Sequence, residues 1–185
     1  LDLERQQQDQ KLESSIQAME MAFRMQFAVP EVFDTAKESK PTLDLYGKSE
    51  FAKGCLIARR LVERGVRMVQ IYNGCGGEGW DTHGNNHNRH VTLTRDVDRG
   101  CAALLADLKA RGMLEDTLVI WGGECGRTPT TEGNSGRDHS PYGFSMWLAG
   151  GGVQGGQVIG ATDGLGFRAV EDPLHAHDLH ATLLK

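Results

Sequence analysis

The residues with types and spacing suited to chemistry lie in three polar, glycine-rich stretches. The first is Trp80-Asp81-Thr82-His83-Gly84-Asn85-Asn86-His87-Asn88-Arg89-His90. Three histidines and one aspartate between positions 81 and 90 offer the carboxylate and imidazole donors used by zinc, manganese, iron or calcium in various mixtures. His83 and His87 are four apart, as on a zincin helix, but Gly84 stands where the general-base Glu belongs, so that reading fails. Glycine and three asparagines also predict that this stretch is not helical. The competing reading is a solvated loop with incidental histidines, and it weighs more on His87 and His90 than on Asp81 and His83.

The second stretch is Trp121-Gly122-Gly123-Glu124-Cys125-Gly126-Arg127-Thr128-Pro129. A carboxylate flanked by glycines just past an apolar strand can approach a metal or substrate closely. Arg127 adds a planar fork that suits sulfate, phosphate or carboxylate; the plainer reading is a strand-end turn closed by a Glu–Arg pair. Cys125 has no activating neighbour in sequence and reads as a small packed residue. The third stretch, Gly136-Arg137-Asp138-His139-Ser140-Pro141-Tyr142-Gly143, puts an acid and an imidazole in a turn. Acids and imidazoles recurring in three such loops argue for a shared metal centre, with metal-free Asp–His acid/base chemistry as the alternative. Gly150–Gly156 lacks the Lys-Ser/Thr of a phosphate-binding loop and reads as a tight turn. His175, His177 and His180 read as polar residues at a helix start.

Several elements must position these loops. Leu12, Ile16, Met19 and Phe23 fall on one helical face. The methionines Met19, Met21 and Met25 read as packing rather than as ligands. Pro30 and Pro41 bracket a polar connection. A helix is expected from about Ser49 to Glu63, burying Phe51, Cys55, Ile57 and Leu61 and stopping at Gly65. Val66–Tyr72 then reads as a buried strand. A second helix carries Val97, Cys101, Leu104, Leu105 and Leu108, Gly112 closes it, and Thr117–Trp121 is the next strand. Phe144–Ala149 is a third strand candidate, and a last helix is expected with Asp178 as its N-cap. This alternation predicts an α/β fold, a mostly parallel sheet flanked by helices, with ligands beyond the carboxyl ends of the strands.

Composition narrows the classes. At 185 residues, with 20 Lys+Arg, 25 Asp+Glu and a net charge of -5, one domain is expected and a general nucleic-acid binder is disfavoured. The 24 glycines are about twice the usual share, and they crowd into 74–84, 122–136 and 150–166. Cys55, Cys75, Cys101 and Cys125 form no CxxC pair and read as free thiols. No apolar run reaches the roughly 20 residues of a membrane span. The chain opens on Leu1 without an initiator Met and ends inside an apolar run, and it is read as a fragment.

WDTHGNN (80–86), TLVIWGGECGRTP (117–129), GRDHSPYGFSMWLAGGGVQGG (136–156) and DLHATLL (178–184) together resemble the sulfatase-like family known as domain of unknown function 1501, placed in the alkaline phosphatase superfamily. The resemblance covers about residues 40–185, with 1–39 as an N-terminal helical segment and linker. It implies an alkaline-phosphatase-like sheet whose N-terminal half is absent from this chain. It also implies hydrolysis of sulfate or phosphate esters, of small molecules or polysaccharides, at a divalent metal such as zinc, calcium or manganese. By position the metal ligands would be Asp81, His83, Glu124 and His139, with His87 and Asp138 as alternatives. Arg127 or Arg137 would orient the oxyanion, and the nucleophile would lie upstream. Glu124 beside Cys125, where the superfamily has an Asp-His pair, departs from the pattern and allows a catalytically silent binding or surface protein instead. The resemblance favours an exported protein.

Overall fold

A computed structural model describes residues 2–74 and 79–184; Cys75, and the side chain of Met25, lie outside the described residues. Helix α1 (Asp2–Phe33) runs through Pro30 and ends in a short 3-10 turn at Thr35–Lys37. Helix α2 (Lys40–Tyr46) starts at Ser39, whose hydroxyl accepts from the Thr42 amide, with Pro41 in the first turn where no amide is needed. Helix α3 (Glu50–Glu63) is capped by Ser49 in the same way. Helix α4 (Asn86–Ala110) follows the first polar loop. Gly65 and Gly112, at φ +85° and +69°, turn the chain out of α3 and α4 in the left-handed conformation that glycine adopts most cheaply.

The core lies where α2, α3 and α4 meet, and Tyr46, Ala52, Cys55, Leu56, Ala103, Leu104 and Leu108 are buried there. Gly100 lets α3 and α4 approach: a Cβ on it would stand 2.9 Å from the Phe51 ring and 3.2 Å from the Ala52 Cα. The buried face of α3 is Ala52, Cys55, Leu56, Ala58 and Arg59; the expected Phe51, Ile57 and Leu61 are half-buried beside it. Arg59 is 1% exposed. Its Nη1 donates to Glu63 at 2.5 Å. Nη2 and Nε face Glu38 and Asp107 as ion pairs at 2.7 and 2.9 Å, off the line of a hydrogen bond. The Tyr46 hydroxyl donates to Asp107 at 3.1 Å, and burial pushes that phenol well above its ordinary range, the Asp107 charge adding to it.

The strands correct the expected architecture. β1 (Leu118–Trp121) pairs antiparallel with β4 (Trp147–Gly150), Trp121 opposite Trp147. β2 (Gly126–Arg127) pairs with β3 (His139–Ser140), and β5 (Ala161–Thr162) with β6 (Ala169–Glu171), both antiparallel. The described residues thus hold three two-stranded pairs, not a mostly parallel sheet flanked by helices. A parallel neighbour needs a crossover of a dozen or more residues, usually a helix; from β1 to β4 the chain instead turns back through irregular loop and the short β2–β3 pair. Val66–Tyr72 is irregular and joins no ladder among the described residues; Ile71 packs on the core. The C-terminal helix α5 (Ala176–Leu183) is capped by His175, and Asp178 is its reciprocal partner three residues on, not the N-cap. Leu12, Met19, Met21 and Phe23 of α1 stand mostly exposed. Among the described residues no helix is long and apolar enough to cross a membrane.

Candidate functional site

The three polar stretches meet because two loops are stitched together. Thr82, 1% exposed, accepts a backbone bond at its carbonyl from Arg137 at 3.0 Å. Its hydroxyl donates to Asn86 at 2.5 Å. The Asn85 and Asn86 amides donate to the Ser135 hydroxyl and carbonyl. Gly136 permits this approach, since a Cβ there would lie 2.4 Å from the His83 carbonyl. Asn85 enters α4 at φ +51°, a left-handed conformation that asparagine tolerates. Helix α4 therefore begins inside the stretch that its glycine and asparagines marked as non-helical. Tertiary hydrogen bonds override the local propensity there.

On this frame, Arg127 of β2 and His139 of β3 are register partners, and both point at Asp81. Arg127 Nη1 donates to Asp81 Oδ1 at 2.5 Å, and His139 Nε2 lies 3.1 Å from the same oxygen. His83 Nε2 is 3.2 Å from Asp81 Oδ2, while its Nδ1 is 3.2 Å from Glu132. Glu124 reaches Arg127 Nη2 at only 3.7 Å and is 74% exposed, so it stands at the rim. Partial desolvation pushes the Asp81 carboxyl up, but His139, Arg127 and His83 outweigh it and hold the group at about 2. The hydrogen bond to Asp81, followed by the Asp81 and Glu132 charges, pushes the His83 imidazole above its ordinary value.

Asp81, His83, Arg127 and His139 are thus brought together, with Glu124 at the edge. Arg137 is not among them: its guanidinium turns back to the Gly136 carbonyl at 2.8 Å. The Asp138 carboxylate accepts the His139 amide at 2.7 Å and shapes the turn. His87 is exposed on α4, and His90 packs edge-on against Trp80. Glu132 escaped the sequence reading, although it is the one carboxylate between Thr128 and Arg137. One carboxylate with two imidazoles has the donor chemistry of a divalent cation site. The placement is less complete: among the described residues no group of three or more His, Cys, Asp and Glu forms a metal cage. Arg127 already sits on the Asp81 oxygen that a cation would use.

Fold and site together define a helix-cored chain with a carboxylate–imidazole–guanidinium centre built on loops and a two-stranded pair. The family model described as a protein of unknown function (DUF1501) matches residues 2–185. The chain belongs to that family, and the match takes in α1 as well as the motif-bearing part. No curated protein and no solved structure matches it.

Proposed function

We propose that the chain carries part of the active centre of a hydrolase acting on sulfate or phosphate esters, with Asp81 at its middle. The supporting observation is the convergence on one carboxylate of Arg127 and His139 from paired strands and His83 from a separate loop. In this reading Arg127 binds the ester oxyanion, where its fork gives paired charge-assisted hydrogen bonds. His83 and His139 hold or move protons beside the ester oxygen. A divalent cation such as zinc, calcium or manganese would be held by Asp81, His83 and His139, in competition with Arg127 for the carboxylate. When bound, it would polarise the ester oxygens as a Lewis acid. The superfamily of metal-dependent sulfatases and phosphatases is part of the same proposal.

The rival is a catalytically silent binding protein. The saturation of Asp81 by its own neighbours favours it, as does the outward position of Glu124. Turnover and binding of an aryl sulfate and an aryl phosphate, with and without added cation, separate the two. In a chain that also carries the nucleophile, the hydrolase reading expects turnover that disappears in Asp81→Ala and His139→Ala. Retained binding without turnover supports the silent protein, and neither binding nor turnover contradicts both.

A further inference from the structure

All three tryptophans of the chain line one open groove of about 200 Å³ beside the charged centre. Trp121 and Trp147, register partners on β1 and β4, lie nearly parallel, with ring centroids 6.4 Å apart and 7° between planes. Trp80 is held by Asn73 and His90. Its indole N–H donates to Asn73 at 2.7 Å, Asn73 in turn donates to Asp96 of α4 at 3.0 Å, and the His90 ring meets it edge-on. Helix α4 lines the same groove with Val97 and Cys101 and with the polar Thr94 and Asp98, one helical turn apart. Both polar residues are exposed. The Thr94 hydroxyl donates to the His90 carbonyl and keeps its oxygen free to accept. Asp98 makes no hydrogen bond or ion pair among the described residues.

We infer that this groove is a saccharide subsite that seats a single pyranose ring, the organic part of the ester handled at Asp81. The inference rests on the proposed ester centre for its context, but the groove can be tested by itself. A sugar ring has an apolar C–H face for the indoles and a rim of hydroxyls for Asp98 and Thr94. A plain arene would offer Asp98 no donor and leave it to water. The volume is below the roughly 300–1,000 Å³ of drug-sized sites, so it suits one ring rather than an extended chain. Charge fixes the orientation. Asp98 repels an anionic sulfate or phosphate group, whereas Arg127 attracts it. Trp80 directly precedes Asp81, and Trp121 leads through two glycines to Glu124, which faces Arg127. The neutral ring therefore belongs in the groove and the ester group at the guanidinium.

The test follows tryptophan emission of the full chain during titration with glucose, galactose and their 6-sulfates. Saturable changes with at least one neutral sugar and its sulfate are expected at millimolar concentrations. Trp147→Ala and Asp98→Ala should each weaken both members of that pair by about tenfold or more. Arg127→Gln should weaken the sulfated sugar alone. If Trp147→Ala fails to fold by circular dichroism, Asp98→Ala decides, because an exposed helical position tolerates alanine. No saturable change with any of the four sugars, or undiminished affinity in the groove variants, overturns the subsite. Loss in the groove variants with Arg127→Gln unchanged keeps the subsite and removes the ester centre; the reverse pattern removes the subsite alone.

Discussion

Asp81 is the residue on which the site turns. Its carboxyl is held at about 2, below its ordinary 3.8, by His139, Arg127 and His83. A group with a depressed folded-state value contributes stability above its unfolded value and loses it as the pH falls through the folded one. The advantage of wild type over Asp81→Asn in urea unfolding should therefore be full at pH 5 to 6, and should shrink from about pH 4 toward about 2. An advantage that is flat across that range would contradict the pairing. His83 has the opposite sign, since its imidazole is raised above 6.5 by Asp81 and Glu132. Its contribution is complete below 6.5 and fades as the pH climbs through the raised value. Glu132→Gln should bring that loss to lower pH, as read from the His83 ring signals in a nuclear magnetic resonance titration.

Asp81, His83, Arg127 and His139 were legible in the sequence because donor-type residues crowded into glycine-rich loops. The choice between Arg127 and Arg137 was not legible. Nothing in the spacing says that Arg127 faces Asp81 while Arg137 turns onto its own backbone. That depends on the Arg127–His139 register, a pairing of two-residue strands too short to leave a hydrophobic pattern.

At the scale of elements, close approaches hold the frame. Gly136→Ala would set a methyl 2.4 Å from the His83 carbonyl, and Gly100→Ala one 2.9 Å from the Phe51 ring. Each should destabilise by about 1–3 kcal/mol, the usual cost of overpacking. Gly136→Ala should also weaken ester binding, because it separates the two stitched loops, whereas Gly100→Ala should leave binding unchanged. Urea midpoints together with aryl sulfate affinity check both halves. Helices α3 and α4 were readable from their apolar spacing and from the glycines that stop them. The parallel sheet was not there to be read. The apolar runs at 66–72 and 144–149 resemble buried strands, and short apolar runs do not carry the direction or identity of a partner.

For the whole molecule, the buried core lies in the α2–α3–α4 body, which β1 meets through Val119. Arg59 ties that body together, with Glu38, Glu63 and Asp107 around its guanidinium. Arg59→Ala would remove a buried guanidinium from among three carboxylates, leaving Glu38 to Arg60 and Asp107 to Arg111, a loss of about 1.5–3 kcal/mol; a change under about 1 kcal/mol in urea unfolding would refute that role. Hydrogen exchange should correspondingly be slowest at the buried face of α3 and α4 and faster in β1 and β4. The family match runs across both this body and the Asp81 centre.

Calorimetric titration of zinc, manganese and calcium into wild type, Asp81→Asn and Arg127→Gln decides whether the Asp81 centre binds a cation. Wild type should bind at least one of these cations. That binding should be lost in Asp81→Asn and tightened in Arg127→Gln, where the competing guanidinium is gone. Absence of binding by wild type and by Arg127→Gln alike would contradict a cation site at Asp81.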